Sequence, residues 1–329
     1  MNNRPLPSEF ELIARYLAPL TKGFKGAFGL TDDAAVLQSR PGFDIVATAD
    51  ALVEGVHFLK DDLPASIAKK LLRVNLSDLA AMGATPHLYL LTLALSKELE
   101  EDWIADFAKG LAEDQKIYGV HLAGGDTVAT PGPTTLTVTA LGHVPAGKAL
   151  RRSGARAGDA VYVTGTIGDG ALGLAVLQGS APDLPGPARE HLVTRYRLPE
   201  PRTGFGEGLI GIAHAAIDVS DGLIADLGHV AEQSDLSASI EAARIPLSEA
   251  ATAFLAKDPG LLSTVLAGGD DYELLFTADA AKEGEIMALA KRHNLQVTHI
   301  GATGKGEGVR VLDPEGSPIS LERQGYRHF

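Results

Sequence analysis

The stretch Asn75-Leu76-Ser77-Asp78-Leu79-Ala80-Ala81-Met82-Gly83-Ala84 places one acidic side chain inside a segment of apolar and small residues. It closes a helix predicted over 67–82, and a continuous apolar run over 88–95 predicts a buried strand soon afterwards. A helix followed by a buried strand is typical of proteins that mix the two in layers. Asp78 needs a cation or hydrogen-bond donors nearby, because burying an isolated carboxylate is costly.

Helices and strands alternate along the whole chain, which predicts a mixed α/β fold. A capping box at Ser8–Glu11 opens an amphipathic helix that continues to Leu20. The other predicted elements are a helix over 103–118, a helix that ends near Gln233, Pro/Gly-rich loops over 181–187 and 199–208, and strands over 43–49, 135–141, 160–164, 215–219, 272–277 and 296–300. The Gly- and Arg-rich segment 143–159 is the best boundary, so we expect domains over 1–148 and 149–329.

Composition excludes several functional classes. Lys and Arg total 29 against 42 Asp and Glu, a net charge of -13 that argues against binding nucleic acid through its phosphates. The absence of cysteine excludes disulfides, thiolate metal sites and cysteine nucleophiles. The run over 88–95 is the longest apolar stretch, far short of the roughly 18 residues that a membrane span needs. We therefore expect a cytoplasmic protein with neither nucleic-acid nor membrane partners.

A subset of aspartates lies at the ends of apolar runs beside Gly, Ala and Ser, instead of on polar helix faces. These residues are Asp32, Asp33, Asp50, Asp78, Asp126, Asp218, Asp221, Asp270 and Asp271. Any one of them is as readily explained as a turn or helix-cap residue. Taken together they point to a divalent cation, since these motifs contain little Lys or Arg. Oxygen ligands favour Mg²⁺ or Mn²⁺ over zinc.

Glycine-rich segments supply the second half of the pattern. We predict turns at Gly124-Gly125-Asp126, at Gly268-Gly269-Asp270 and over 165–170, where main-chain amides can approach phosphate oxygens. The chain has no G-x-x-x-x-G-K-[ST] sequence and no H-R-D catalytic loop. The prediction is phosphate chemistry with Mg²⁺, outside the P-loop and protein-kinase classes.

The motifs, taken in order, resemble those of the thiamine-monophosphate kinase family, within the aminoimidazole-ribonucleotide-synthetase-like ATP-binding superfamily. They are Leu30-Thr31-Asp32-Asp33-Ala34-Ala35-Val36, Asp50-Ala51-Leu52-Val53-Glu54-Gly55-Val56-His57-Phe58, the stretch 75–84, Gly124-Gly125-Asp126-Thr127, Asp218-Val219-Ser220-Asp221-Gly222-Leu223, Gly269-Asp270-Asp271-Tyr272-Glu273-Leu274 and Gly325-Tyr326-Arg327-His328-Phe329. The resemblance runs from residue 8 to the last residue. The His57 motif and the terminal motif are specific to the kinase, whereas the stretch 75–84 is shared across the superfamily.

The resemblance implies a two-domain subunit in which the N-terminal sheet forms the core of a homodimer and the C-terminal α/β domain completes the active site. It also implies that ATP, bound with several Mg²⁺ ions, phosphorylates thiamine monophosphate to thiamine diphosphate, the last step of thiamine diphosphate biosynthesis. The implied metal ligands are Asp33, Thr48, Asp50, Asp78, Asp126, Asp218 and Asp221; the implied ATP contacts are Gly125, Asp126, Arg152 and Ser220; and the implied substrate contacts are His57, Asp270 and Tyr326.

No residue in this set is implied to act as an acid or a base. A phosphate monoester has a second pKa of about 6 and is already mostly a dianion at neutral pH, so the acceptor needs no deprotonation. In the expected mechanism, a phosphate oxygen of thiamine monophosphate attacks the γ-phosphorus of ATP in line, assisted by metal ions and by Arg152.

Three positions depart from the pattern of the family: Thr31 replaces a common Gly, Ala49 replaces a common Thr or Ser, and Asp270 replaces a common Glu. Two alternatives stay open at this point. One is another ATP-dependent enzyme of the superfamily, although two of those enzymes rely on Cys or selenocysteine. The other is a protein that binds Mg²⁺ and nucleotide without catalysis.

Overall fold

The computed structural model describes residues 5–319 and 325–326. The chain divides into two compact units. The first comprises Met1–Leu79 and Thr85–Gly147, and the second comprises Ala80–Ala84 and Lys148–Phe329. Arg327, His328 and Phe329 of the terminal motif lie outside the described residues.

A four-stranded sheet organises the first unit. Its strands are β1 (Phe43–Val53), β2 (Thr85–Ser96), β3 (His121–Thr130) and β4 (Thr135–Pro145). They pair in the order β1–β4–β2–β3, and of these pairs only β2–β3 is parallel. Side chains on β1 alternate between a half-buried face with Thr48 and Asp50 and an exposed face with Ala49 and Ala51, as the period of a strand requires.

The helices of the first unit are α1 (Glu9–Leu12), α2 (Pro64–Ala81) and α3 (Glu101–Tyr118). The predicted N-terminal amphipathic helix is α-helical only over α1, and continues as a π-helical turn over Ile13–Leu17 and a 3-10 turn over Ala18–Thr21. Pro19 in the second turn cannot donate an α-helical hydrogen bond, which accounts for the tighter winding there. Arg73 on α2 bonds Asp114 on α3 in a two-pronged ion pair, with Nε–Oδ2 at 2.6 Å and Nη2–Oδ1 at 2.9 Å.

A six-stranded sheet organises the second unit. Its strands are β5 (Ala160–Thr164), β6 (Ala215–Asp218), β7 (Ser237–Glu241), β8 (Leu274–Ala278), β9 (Val297–Gly304) and β10 (Gly308–Leu312), in the order β10–β7–β9–β5–β8–β6. Its helices are α4 (Asp169–Leu177), α5 (Gly186–Arg197), α6 (Thr203–Gly208), α7 (Leu223–Gln233), α8 (Glu249–Lys257), α9 (Leu262–Ala267) and α10 (Glu283–Arg292).

Both faces of this sheet are buried along β5, β8 and β6. Val161 and Val163 of β5 belong to one apolar cluster, whereas Ala160 and Tyr162, which point to the opposite face, belong to another. Every residue of β5, β6 and β8 is buried. These strands therefore read in the sequence as continuous apolar runs, because neither face meets water.

The mixed α/β fold class is confirmed, but several local predictions were wrong. Gly124-Gly125-Asp126 is part of β3 and not a turn, because these residues pair with Leu90–Thr92 of β2. A Cβ at Gly125 would lie 1.8 Å from the Leu91 carbonyl oxygen, so this glycine permits close strand approach. The predicted loop over 199–208 contains helix α6. Among the helices of residues 5–319 and 325–326, none is both long and apolar enough to cross a membrane.

Candidate active site

Two carboxylates meet in the first unit, where α2 lies against β1. The Thr48 hydroxyl donates to Asp78 Oδ2 at 2.5 Å, and the Asp50 main-chain N–H donates to Asn75 Oδ1 at 3.1 Å. Thr48 and Asp50 share one face of β1 because they are two residues apart. Asn75 is fully buried and donates in turn to the Leu71 carbonyl at 2.9 Å, which fixes the orientation of its amide.

The Asp50 carboxyl faces the Asp78 carboxyl. Burial, the negative charge of Asp78 and their mutual hydrogen bond raise the pKa of Asp50 to about 7. Two facing carboxylates are both ionised only when a cation between them offsets their repulsion. Together with the Thr48 hydroxyl they form an all-oxygen donor set of the kind that Mg²⁺ prefers. Thr48, Asp50 and Asp78 therefore fit a divalent cation.

Other predicted metal ligands of the first unit lie elsewhere on it. Asp33 is exposed in the loop before β1. Asp126 is exposed on β3, where its Oδ1 accepts from the Thr127 N–H at 2.9 Å. Gly125 stands level with Asp50 across the sheet, but three strand spacings, or about 14 Å, separate them. Within the described part of the chain, no three His, Asp or Glu side chains are grouped so as to hold a metal.

His57 lies just beyond β1 in a tight turn. Its main-chain N–H donates to the Val53 carbonyl at 2.9 Å, and its ring Nδ1 accepts from the Val53 N–H at 3.1 Å. An Nδ1 that accepts cannot carry the proton, so the neutral ring holds its proton on Nε2. The buried Lys70 ammonium donates to the His57 carbonyl at 3.1 Å and secures the turn from α2. The turn thus fixes the orientation of the His57 ring and its tautomer.

In the second unit, the end of β6 and the loop before α7 contain three of the predicted residues, Asp218, Ser220 and Asp221. The Asp226 carboxyl organises this loop, since its Oδ2 accepts from the main-chain N–H groups of Ser220, Asp221 and Gly222 at 3.0, 3.1 and 3.2 Å. Burial, followed by the charge of Asp221, raises the pKa of Asp226 to about 7, although the three amides act to lower it.

Two predicted substrate residues converge on the same loop. The Asp270 N–H donates to the Ser220 carbonyl at 3.0 Å, and the Tyr326 N–H donates to the Asp221 carbonyl at 3.0 Å. A Cβ at Gly269 would lie 2.1 Å from the Ser220 carbonyl oxygen, so only glycine permits this approach. Tyr326 is half exposed. Residues predicted from three separate motifs are thereby adjacent.

Arg152 is exposed on a loop that Ser234 holds in place. The Ser234 Oγ accepts from the Gly154 and Ala155 N–H groups at 3.2 and 3.3 Å, and donates to the Arg152 carbonyl at 3.4 Å. The guanidinium is thus presented from a braced main chain. Its planar fork suits a phosphate group.

Sequence reasoning missed the residues that support this site. Asn75, Lys70, Asp226 and Ser234 each bond to the main chain of a predicted residue or of its neighbour, and none was proposed. Asn75 and Asp226 lie inside quoted or adjacent motifs, so a polar residue within an apolar helix was the available signal. Lys70 and Ser234 carried no such signal, because they read as ordinary surface residues.

The chain matches the family described as AIR synthase related protein, with the N-terminal domain over residues 31–144 and the C-terminal domain over residues 156–313. The thiamine-monophosphate kinase of Caulobacter vibrioides is 42% identical over 325 residues, which cover 98% of this chain and 91% of that relative. This chain belongs to the thiamine-monophosphate kinase family.

Solved structures of the family agree with this assignment. The thiamine-monophosphate kinase of Stenotrophomonas maltophilia K279a superposes with a TM-score of 0.84 at 42% identity, covering 95% of this chain and 98% of that one. A complex of AaThiL with AMPPCP and TMP superposes with a TM-score of 0.77 at 31% identity, covering 92% of this chain and 97% of that one. The family and fold expected from the motifs are confirmed.

Proposed function

We propose that this chain transfers the γ-phosphoryl group of ATP to thiamine monophosphate by direct in-line attack and so forms thiamine diphosphate. The observation that carries the proposal is the convergence of Ser220, Asp221, Asp270 and Tyr326 on one loop of the second unit. A loop predicted to bind ATP and metal thus adjoins residues predicted to bind the acceptor. The AaThiL complex with AMPPCP and TMP supports the same pair of substrates.

Oxygen atoms for several Mg²⁺ ions would come from the predicted ligands, of which Thr48, Asp50 and Asp78 already lie together. When bound, the ions would offset negative charge on the phosphate oxygens. The other predicted metal ligands are assigned from the resemblance to the family; they are Asp33, Asp126, Asp218 and Asp221. An acidic chain needs such cations to accept two acidic substrates.

The protein's own groups orient the two phosphates. The His57 Nε2–H, fixed by the bond at Nδ1, donates to the bound thiamine monophosphate. Arg152 binds the triphosphate and offsets the charge that develops on the leaving ADP. Because the acceptor phosphate is already ionised, no residue has to remove a proton from it. Tyr326 offers an aromatic face to the cationic thiazolium ring.

We also propose that the first unit contributes Gly125 and Asp126 to ATP binding and forms a homodimer through the exposed face of its sheet. Ile45, Leu90 and Val128 lie on three different strands and are 52%, 38% and 47% exposed. A second copy of the chain would cover these apolar side chains. Light scattering should then give a mass about twice 34.3 kDa, and a monomer mass would remove this part of the proposal. We also propose a cytoplasmic location for the chain.

The test is an end-point assay of the purified chain with ATP, Mg²⁺ and thiamine monophosphate, in which thiamine diphosphate is separated and read by fluorescence after oxidation. Asp78→Asn should lower the rate at which the product forms by about 10²–10³-fold. The matched control is Asp44→Asn on the same strand as Asp50, because Asp44 is exposed and its carboxylate accepts from the Gly147 N–H at 2.8 Å. This control should keep its activity.

Two other outcomes discriminate between mechanisms and functions. A phosphoprotein that labelled ATP forms without acceptor would exclude direct transfer. ATP binding without turnover of thiamine monophosphate would instead favour another acceptor of the superfamily, or a protein that binds nucleotide without catalysis.

A further inference from the structure

The segment that enters β8 carries two residues in a rarely populated conformation. Asp270 and Tyr272 have φ angles of 70° and 52°, in the left-handed region that bulky side chains seldom adopt. Such conformations persist only where the surroundings enforce them. The Tyr272 hydroxyl donates to Asp270 Oδ1 at 3.2 Å, so the two strained residues also hold each other.

The residues that alternate with them are buried acids. Asp271 is 2% exposed, and its two carboxyl oxygens accept from the N–H groups of Gly168 and Gly170 at 2.7 and 3.1 Å. Glu273 is fully buried, and its Oε2 accepts from the Thr164 hydroxyl at 2.7 Å. The segment is therefore anchored on its inner side by two carboxylates while Asp270 lies on the other side.

Two guanidinium groups enclose the Glu273 carboxylate. Arg202 approaches in a two-pronged arrangement, with Nε 2.7 Å from Oε2 and Nη2 bonded to Oε1. Arg195 Nη2 donates to Oε1 at 3.0 Å. Glu200 accepts from Arg202 Nη1 at 3.0 Å and lies 3.6 Å from Arg195 Nη1, which leaves the four charged groups balanced. A two-pronged Arg–carboxylate pair fixes the orientation of both groups, because its two hydrogen bonds must form in parallel.

The Glu273 main chain connects this cluster to the predicted site. The Val219 N–H donates to the Glu273 carbonyl at 2.8 Å, the Tyr272 N–H donates to the Val219 carbonyl at 2.8 Å, and the Asp270 N–H donates to the Ser220 carbonyl. A displacement of Glu273 is therefore transmitted along one hydrogen-bonded ladder to Asp270.

We propose that Arg202, acting through Glu273, is a positioning residue that holds Asp270 in place for thiamine monophosphate. This inference rests on the proposed function, because it assigns Asp270 to that substrate. Arg202 bonds to Glu273 and Glu200, so its effect on the substrate is indirect. Arg195 still pairs with Glu273 when Arg202 is changed, which preserves a partner for the buried carboxylate.

The test compares Arg202→Met with Arg202→Lys. The methionine variant removes both hydrogen bonds to the Glu273 carboxylate but keeps much of the length of the side chain. It should raise the KM for thiamine monophosphate about 10-fold, a typical loss when a residue that orients a ligand-binding group is removed. The KM for ATP and kcat should change by less than about twofold. The lysine variant should recover most of the loss, because it restores a charged donor. Arg244→Met is the matched control, since it removes a surface Arg–Glu pair of the same unit, 2.8 Å long, with Glu241.

Hydrogen exchange of a peptide over 268–274 provides a second readout that does not need turnover. Faster exchange in Arg202→Met than in Arg244→Met supports the inference, because the Asp270 and Tyr272 amides are bonded within the ladder. Unchanged exchange and an unchanged KM would overturn it, and so would an equal loss in kcat and in both KM values. If the methionine variant does not fold, the lysine variant carries the same test with a smaller shift. A wild-type chain without turnover would refute the proposed function, while the exchange comparison would still decide the positioning role.

Discussion

In the first unit the Asp50 carboxyl lies against another carboxyl, whereas in the second unit the Asp226 carboxyl lies against three main-chain amides. Burial raises the pKa of both groups to about 7. Each group also has a like-charged neighbour, Asp78 for Asp50 and Asp221 for Asp226. Their hydrogen-bond partners nevertheless differ: Asp50 bonds the Asp78 carboxyl, whereas Asp226 bonds main-chain amides, which favour its negative charge.

The difference separates two uses of a buried aspartate. An acid that faces amide donors stabilises the loop that provides them, and needs nothing further. An acid that faces a second acid destabilises the empty site, and becomes favourable only when a cation binds between them. We infer that Asp226 and Asp271 stabilise the folded chain. Asp50 and Asp78 instead bind a ligand, and their repulsion lowers the stability of the chain when that ligand is absent.

The largest expected effect is that of Asp78→Asn. Replacing one carboxylate of the pair should lower kcat/KM by about 10²–10³-fold, the usual loss when one charge-stabilising group is removed. The same change should stabilise the metal-free chain by about 1 kcal/mol, because the like-charge repulsion disappears and the introduced amide can still bond Thr48 and Asp50. Activity assays and calorimetry in EDTA measure the two effects.

Asp44→Asn is again the control and should leave both quantities unchanged. A lower melting temperature for metal-free Asp78→Asn would contradict the comparison, because the pair would then stabilise the empty site.

Asp226→Ala should have the opposite effect on stability. Its three loop amides would lose their acceptor, and leaving buried donors unsatisfied costs about 1–3 kcal/mol. Asp226→Asn keeps one oxygen at the position of Oδ2 and should lose less. Thermal unfolding of the two variants beside the wild-type chain measures this order. An alanine variant more stable than the wild-type chain would contradict this prediction, because Asp226 would then destabilise the chain, as Asp50 and Asp78 are expected to do without a cation.

Only the Asp50–Asp78 side of this contrast was foreseeable from the sequence, since Asp226 was not proposed. Asp50 and Asp78 stood out because they interrupt apolar runs, and strands such as β5 were predicted with their observed bounds because they are buried on both faces. Elements without that signal were missed. Strands β7 and β10 carry polar or exposed residues at alternate positions, and β3 was hidden by its glycines, which read as a turn.

The partners of each acid could not be predicted, because they are distant in the sequence. Asp271 and the amides of Gly168 and Gly170 are about a hundred positions apart, and no local sequence pattern predicts their contact. The left-handed turn at Tyr272 was likewise unforeseen. That residue was expected to begin a strand which in fact begins at Leu274, because tertiary hydrogen bonds override the preference of an aromatic residue for extended backbone.

A smaller effect is expected at His57, which supplies the first unit with a donor in addition to its acids. His57→Ala should raise the KM for thiamine monophosphate about tenfold, the value of one hydrogen bond to a charged group. The KM for ATP should stay unchanged in initial-rate assays. His57→Gln, whose side-chain amide can also donate, should recover part of the loss. An increase in the KM for ATP alone would contradict the assignment of His57 to thiamine monophosphate.

The smallest effect concerns a third kind of buried group, a base whose pKa is lowered by burial. Burial lowers the pKa of His87 and of His143, whose rings lie 4.9 Å apart. The electrostatic effect of Arg40 acts in the same direction on both rings, and those of His143 and His121 act in that direction on His87. A folded-state pKa below the unfolded value of about 6.5 means that the unfolded chain binds more protons below that pH, so stability falls as the pH drops through it. Between pH 7.5 and 5.5 the double variant His87→Gln/His143→Gln should therefore lose on the order of 1–2 °C less in melting temperature than the wild-type chain. An equal loss would mean that these rings protonate as freely in the folded chain as in the unfolded one, and the three-way distinction would reduce to the two kinds of aspartate.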